Sequence, residues 1–289
     1  MSPVLLGGAA AFGAAAAWAL ATVLFKQTTN TVAPLGLTFI KGGVAVVPLA
    51  IVVGAGSYSL PLNSVAILAL SGVIGIGLGD TLFFAALRAL PAHLVILLGL
   101  SGQALTVIGA VLLLGELPSL QQWMGIGLVF TGLVIACLEV SRGGVAQPQG
   151  LLFGLGAVLA MTAGTLLAKV GLESVSALPA TFLRLLAGTV TVFILGLTTG
   201  RLRTWLSSAS DPTVLRPLLV ATLIGTLGGV WLFHVALEHA DVSLVNTIAA
   251  TEPLVALPLA AIYLGDRIEL RTIVGSLIAL AGVCLLLLT

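Results

Sequence analysis

Thr38-Phe39-Ile40-Lys41 returns 143 positions later as Thr181-Phe182-Leu183-Arg184, with a cation closing each string. Lys26 returns at the same offset as Lys169. Further on the offset becomes 150: Gly75, Gly79, Phe83, Ala86 and Leu87 return as Gly225, Gly229, Phe233, Ala236 and Leu237. Leu114-Gly115-Glu116 returns as Leu264-Gly265-Asp266, and Gly125 and Gly132 as Gly275 and Gly282. A connection seven residues longer in the second copy accounts for the change of offset. The chain is a duplication. Its expected units are residues 1–140 and 150–289, joined by a loop over 141–149.

Composition says what solvent surrounds these units. Of 289 residues 59% are hydrophobic, 7% charged and 35 are glycine, against about 25% charged in a soluble domain. A net charge of +1 without a basic tract offers nothing to nucleic acid. Cys137 and Cys284 both sit in apolar runs, so neither a disulfide framework nor a zinc cluster is expected. A membrane-crossing helix needs about 20 mainly apolar residues. Ten such stretches are expected, at 4–25, 35–54, 64–86, 92–114, 121–140, 150–170, 178–198, 214–236, 243–263 and 271–288. The first lacks a basic flank and a clear cleavage site, so it reads as a retained helix. The longest connection, residues 200–213, is too short for a domain.

Five crossings per unit is an odd number, so two copies in one chain must enter the membrane from opposite sides. The expected fold is therefore an all-α integral membrane protein, ten transmembrane helices arranged as two inverted five-helix repeats. Secondary transporters use this architecture, with the substrate site between the halves near the midplane.

Polar residues inside lipid-length runs are costly and mark candidate sites. Glu252 is the deepest carboxylate, and Pro253 beside it removes a backbone hydrogen bond and should kink the helix. Such an acid suits a substrate ammonium or a coupling proton. Trp18 lies well inside its span, away from the interfaces where tryptophan gathers, Trp231 lies about a third of the way from an interface, and Gln103 and Asn246 are amides within spans. These five are expected to face one substrate cavity. Lys41 and Arg184 are equivalent cations inside the second and seventh spans, suited to an anionic substrate, an ion pair or snorkelling to the interface. Asp80, whose counterpart is Val230, is left open between pairing with a cation of another helix and serving, with Lys41 and Arg184, as a substrate or gating charge. Lys26, Lys169, Glu116 and Asp266 sit at span ends and read as caps or gates. The glycine pairs Gly75/Gly79 and Gly225/Gly229 read as helix-packing faces rather than nucleotide loops. His234, Glu238 and His239 miss metal-ligand spacing, because His239 falls on another helix face. No catalytic residues, cofactor or metal are expected.

Trp18 followed by Lys26, the run Phe182-Leu183-Arg184-Leu185-Leu186-Ala187-Gly188, the Glu252-Pro253 pair, and the Leu-Gly-Glu/Asp turn with its spaced glycines resemble the EamA family of the drug/metabolite transporter superfamily. The resemblance spans both halves. It implies a ten-helix secondary transporter, often an exporter of amino acids or other small metabolites, in the bacterial cytoplasmic membrane. The first half departs from the pattern, with Gly102-Gln103 where the ninth span has Glu252-Pro253, so the half-sites should differ chemically. The partners expected are a small-molecule substrate and the lipid bilayer, not nucleic acid, and the chain is expected to be a monomer. An exchanger of phosphorylated or other anionic metabolites is the first rival reading, and an intramembrane enzyme the second.

Orientation is contested. Lys26, Arg88, Arg142, Arg201, Arg203, Arg216, Arg267 and Arg271 follow odd-numbered spans, and only Lys169 follows an even one. The positive-inside rule therefore puts the termini outside, whereas the resemblance implies termini in the cytoplasm, the orientation adopted here.

Overall fold

The computed structural model describes residues 2–90, 92–137, 148–256 and 270–288. Every regular element among them is helical, the form that satisfies all backbone polar groups within one segment in lipid. The helices are α1 (Pro3–Thr28), α2 (Pro34–Gly54), α3 (Leu62–Ala89), α4 (Ala92–Leu113), α5 (Leu120–Cys137), α6 (Pro148–Leu172), α7 (Ala177–Thr198), α8 (Leu202–Ser208), α9 (Pro212–His239), α10 (Val242–Ala256) and α11 (Leu270–Leu287). Six of them, α1, α2, α3, α6, α7 and α9, are long and apolar enough to cross a membrane. The fourth, fifth, ninth and tenth expected spans hold shorter apolar helices in α4, α5, α10 and α11. Most of the 141–149 loop, Arg142, Arg267 and the Leu264-Gly265-Asp266 turn lie outside the described residues.

Local signals set the boundaries. Ser2 Oγ accepts the Leu5 N–H at 3.3 Å, with Pro3 opening α1. Asp211 Oδ1 accepts from Thr213 N–H at 2.8 Å and its hydroxyl at 2.7 Å ahead of α9, bonds that hold its carboxyl below the usual range. Gly115 and Gly200, at φ of 69° and 65°, turn the chain after α4 and α7 in a conformation that only glycine enters without strain.

Helix packing is reciprocal between the units. α1 packs on α9 and α10, and its counterpart α6 packs on α3 and α4. The remaining equivalent helices meet each other, α2 with α7, α4 with α10, and α5 with α11. Small residues permit the close crossings. A Cβ on Gly164 would stand 2.7 Å from the Gly75 Cα, and one on Gly282 would stand 2.7 Å from the Gly125 carbonyl oxygen. Backbone contact of this kind is how helices associate where lipid removes the hydrophobic driving force. Large apolar side chains such as Ile51, Leu112, Leu120, Leu159 and Leu277 cover the outside, while Thr38, Lys41, Ser71, Arg184 and His234 are buried.

Two features were not expected, and the expected caps take a fixed pattern. α3 and α9 turn π-helical at the same place, Val73–Asp80 and Thr222–Gly229, around the repeated glycines. The 200–213 connection contains α8, whose Trp205 is 3% exposed and packs against Gly36 and Phe39 of α2. The extra residues of the second half thus form a short helix packed on α2 rather than a free loop. The span-end charges also act in a fixed pattern. Lys169 Nζ donates to Leu237 O at 2.7 Å and Ala240 O at 2.8 Å, ending α9, and Lys26 does the same at Leu87 O and Leu90 O for α3. Each lysine satisfies the orphan carbonyls at the C-terminus of the third span in its own unit. Glu116 caps α10 from the other unit, accepting from Val242 N–H at 2.7 Å, Ser243 N–H at 2.9 Å and the Ser243 hydroxyl at 2.6 Å. Its counterpart Asp266 lies outside the described residues.

Candidate functional site

A cavity of about 240 Å³ lies where the units meet, lined by α1, α2, α3, α4, α6, α7, α9 and α10. Seven of the eight expected site residues line it: Trp18, Lys41, Asp80, Gln103, Arg184, Asn246 and Glu252. Trp231 does not. It is 42% exposed on the outer surface of α9, because the Gly225/Gly229 face of that helix turns toward α1 and Trp231 points away from it. Phe233 takes the aromatic position instead, 5.0 Å from the Trp18 ring. Trp18 Nε1 donates to Gly225 O at 3.1 Å, a carbonyl within the π-helical stretch of α9.

The two cations are equivalent by position and unlike in surroundings. Lys41 is buried and its Nζ pairs with Asp80 Oδ2 at 2.6 Å, with the Phe25 and Phe84 ring centroids 6.0 and 5.4 Å away. Asp80 thus finds its cation on another helix, the first of its two open readings. Arg184 has no such carboxylate, since Val230 stands where the first unit has Asp80. Its Nη1 meets His234 Nε2. His234 Nδ1 meets the Thr181 hydroxyl at 2.7 Å, and that hydroxyl donates to Ala177 O at 2.7 Å. Arginine can only donate, so Nε2 accepts and the ring proton sits on Nδ1, which donates to Thr181. The three groups form one directed chain that ends on a backbone carbonyl and keeps His234 neutral.

Sequence reading weighed His234 only as a metal ligand and missed this role. The available signal was the offset of 150, which sets His234 opposite Phe84, the ring beside Lys41. Glu238 and His239 are engaged elsewhere: Glu238 Oε2 accepts from Ala177 N–H at 3.0 Å, and His239 Nδ1 donates to Val235 O at 2.9 Å. Among the described residues no set of three His, Cys, Asp or Glu is placed to hold a metal.

Glu252 sits where α10 is interrupted. Ala249 ends the first α-helical stretch, Thr251 N–H bonds back to Ile248 O at 3.0 Å, and helix resumes at Glu252. Pro253 contributes no N–H to that restart, so the expected break falls beside the acid. Thr22 of α1 donates its hydroxyl to Glu252 Oε1 at 3.3 Å, linking the two units. On α4, Gln103 Oε1 is buried without a hydrogen-bond partner. Asn246 Nδ2 bonds back to Val242 O at 3.0 Å within its own helix.

The site therefore combines aromatic walls, a neutralised lysine–aspartate pair, an arginine held by a neutral histidine, and a carboxylate at a helix break. No curated protein matches the chain. A solved crystal structure described only as that of a protein is similar over 96% of this chain and 96% of its own, with a TM-score of 0.71 and 16% identity, which shows a shared fold. The EamA-like transporter family matches residues 5–138 and again 148–288, one match for each unit. The chain belongs to the EamA family of the drug/metabolite transporter superfamily, and is a multi-pass membrane transporter.

Proposed function

We propose that the protein is a secondary transporter that exports a small polar metabolite such as an amino acid, by alternating access through the cavity between two inverted five-helix halves. The observation that carries this reading is the charge arrangement of the cavity. Lys41 and Asp80 neutralise each other at 2.6 Å, leaving Arg184 and Glu252 as one cation and one acid for a ligand with both polarities. Trp18 and Phe233 supply the apolar surface that such a ligand's side chain needs. Pairing of Lys41 with Asp80 weighs against a phosphorylated substrate, which calls for more than one unpaired cation. The sequence carries no ATP-binding motif, so uphill movement would draw on a gradient. Reconstitution in liposomes preloaded with a labelled amino-acid mixture is expected to give saturable efflux of unmodified solute. Efflux of phosphorylated solutes alone, or recovery of a chemically altered product, would overturn the reading.

The proposed setting is a bacterial cytoplasmic membrane with both termini inside, following the family likeness over the charge count. Reporters fused after Thr289 and within residues 200–213 are expected to be active only on the cytoplasmic side for the first. A C-terminal reporter active only outside would establish the opposite orientation.

A further inference from the structure

Among the described residues, two buried side-chain polar atoms have no hydrogen-bond partner, Arg184 Nε and Gln103 Oε1. Buried polar groups are nearly always bonded, so each exception needs an explanation. Both residues line the same cavity, on different units and different helices. One atom is a charged donor and the other an acceptor. A ligand that satisfies both must bring an acceptor, best an anionic one beside a guanidinium, and a hydrogen-bond donor.

The orientation of Arg184 narrows the anion. His234 occupies Nη1 and is fixed by Thr181. The edge left without a hydrogen-bond partner is Nε with Nη2, the latter beside Gly75, where a Cβ would come within 3.2 Å. That edge is a planar two-donor fork, matched to the two oxygens of a carboxylate. Arg184 is 6% exposed, so the cation is withdrawn from bulk water; among the described residues its side-chain hydrogen-bond partner is the neutral His234, and the Asp80 carboxylate acts on it at longer range while paired with Lys41. One such cation matches a monoanion.

We propose that the Nε–Nη2 edge of Arg184 binds the carboxylate of the transported solute, that Gln103 Oε1 accepts a solute N–H, and that His234 is the positioning residue that turns the guanidinium to present this edge. The assignment rests on the reading of the cavity as the substrate path and adds the solute's polarity within it.

The test uses the purified full chain in detergent and thermal-shift titration with leucine, phenylalanine and glutamine, each beside its carboxamide and its deaminated acid, with glycerol phosphate as the phosphate arm. The wild type is expected to bind the amino acid about 10- to 100-fold more tightly than the carboxamide, the range for charged hydrogen bonds, and more tightly than the deaminated acid. Arg184→Gln should abolish the preference for acid over amide. Gln103→Leu should reduce the preference for the amino acid over its deaminated form, and an unchanged preference would remove Gln103 from the assignment. His234→Phe, which installs the ring found beside Lys41, should weaken acid binding while retaining the preference over amide, an outcome that mere loss of packing would not give. Because the wild-type comparison needs no variant, misfolding of any variant leaves the test intact. Equal binding of acid and amide by the wild type overturns the carboxylate assignment even if amino acids cross in the liposome assay. Stabilisation by glycerol phosphate with none by any amino acid overturns both this assignment and the amino-acid reading, and stabilisation by no member of the panel overturns the assignment.

Discussion

Glu252→Gln abolishes transport or removes its pH dependence, while folding and membrane insertion persist. The amide has the shape of the acid and still offers Thr22 an oxygen, so the bond that spans the two units survives. What disappears is the charge and the ability to exchange a proton, at the point where α10 is interrupted. If Glu252 holds a substrate ammonium, loss of one charged hydrogen bond lowers affinity by about 10- to 100-fold. If it carries the coupling proton, the flux remaining becomes flat with pH. Near-normal liposome flux with an unchanged pH profile in the Gln variant would remove Glu252 from the mechanism.

Asp80→Asn lowers stability sharply, and Lys41→Met in the same chain restores most of it. The single change leaves the Lys41 ammonium, 7% exposed, with two aromatic faces in place of a carboxylate at 2.6 Å. Removing one member of a buried ion pair costs about 3–5 kcal/mol, because the remaining charge stays desolvated, while apolar replacement of both is close to neutral. The check is the thermal midpoint in detergent of the two single variants and the double variant. Equal midpoints for wild type and Asp80→Asn would mean that the pair contributes nothing to the folded state and that Lys41 is free to meet solute.

The duplication and most of the cavity were legible in the sequence for one physical reason. Charges and amides are expensive in lipid, so Lys41, Asp80, Arg184, Gln103 and Glu252 had to face inward, and the repeat offsets told which of them shared a position. Depth, however, says nothing about facing. Trp231 lies about a third of the way from an interface yet follows Gly229 by two residues, about 200° around the helix, and the glycine face is the one pressed on α1. Periodicity measured from Gly225 and Gly229 would have excluded it. His234 escaped because a neutral, fully buried imidazole looks like a metal ligand or a core residue until its neighbours are known, and its neighbour is Arg184, 50 residues away in the chain. The π-helical stretches were not legible at all. They are a property of hydrogen-bond register, and Val73–Asp80 has the same apolar, glycine-rich composition as stretches that remain α-helical.

The reciprocal packing of α1 on α9 and α6 on α3 has a consequence for how such a chain came to be. Each unit inserts its opening helix into the other, and the solute cavity has walls from both. A single copy would hold half a wall, with its polar lining open to hydrocarbon and no enclosed volume. One unit by itself would thus enclose no site. It is a component that encloses a cavity only beside its own likeness, and joining the two copies in one chain leaves them free to differ, one with a lysine matched by an aspartate and the other with an arginine held by a histidine.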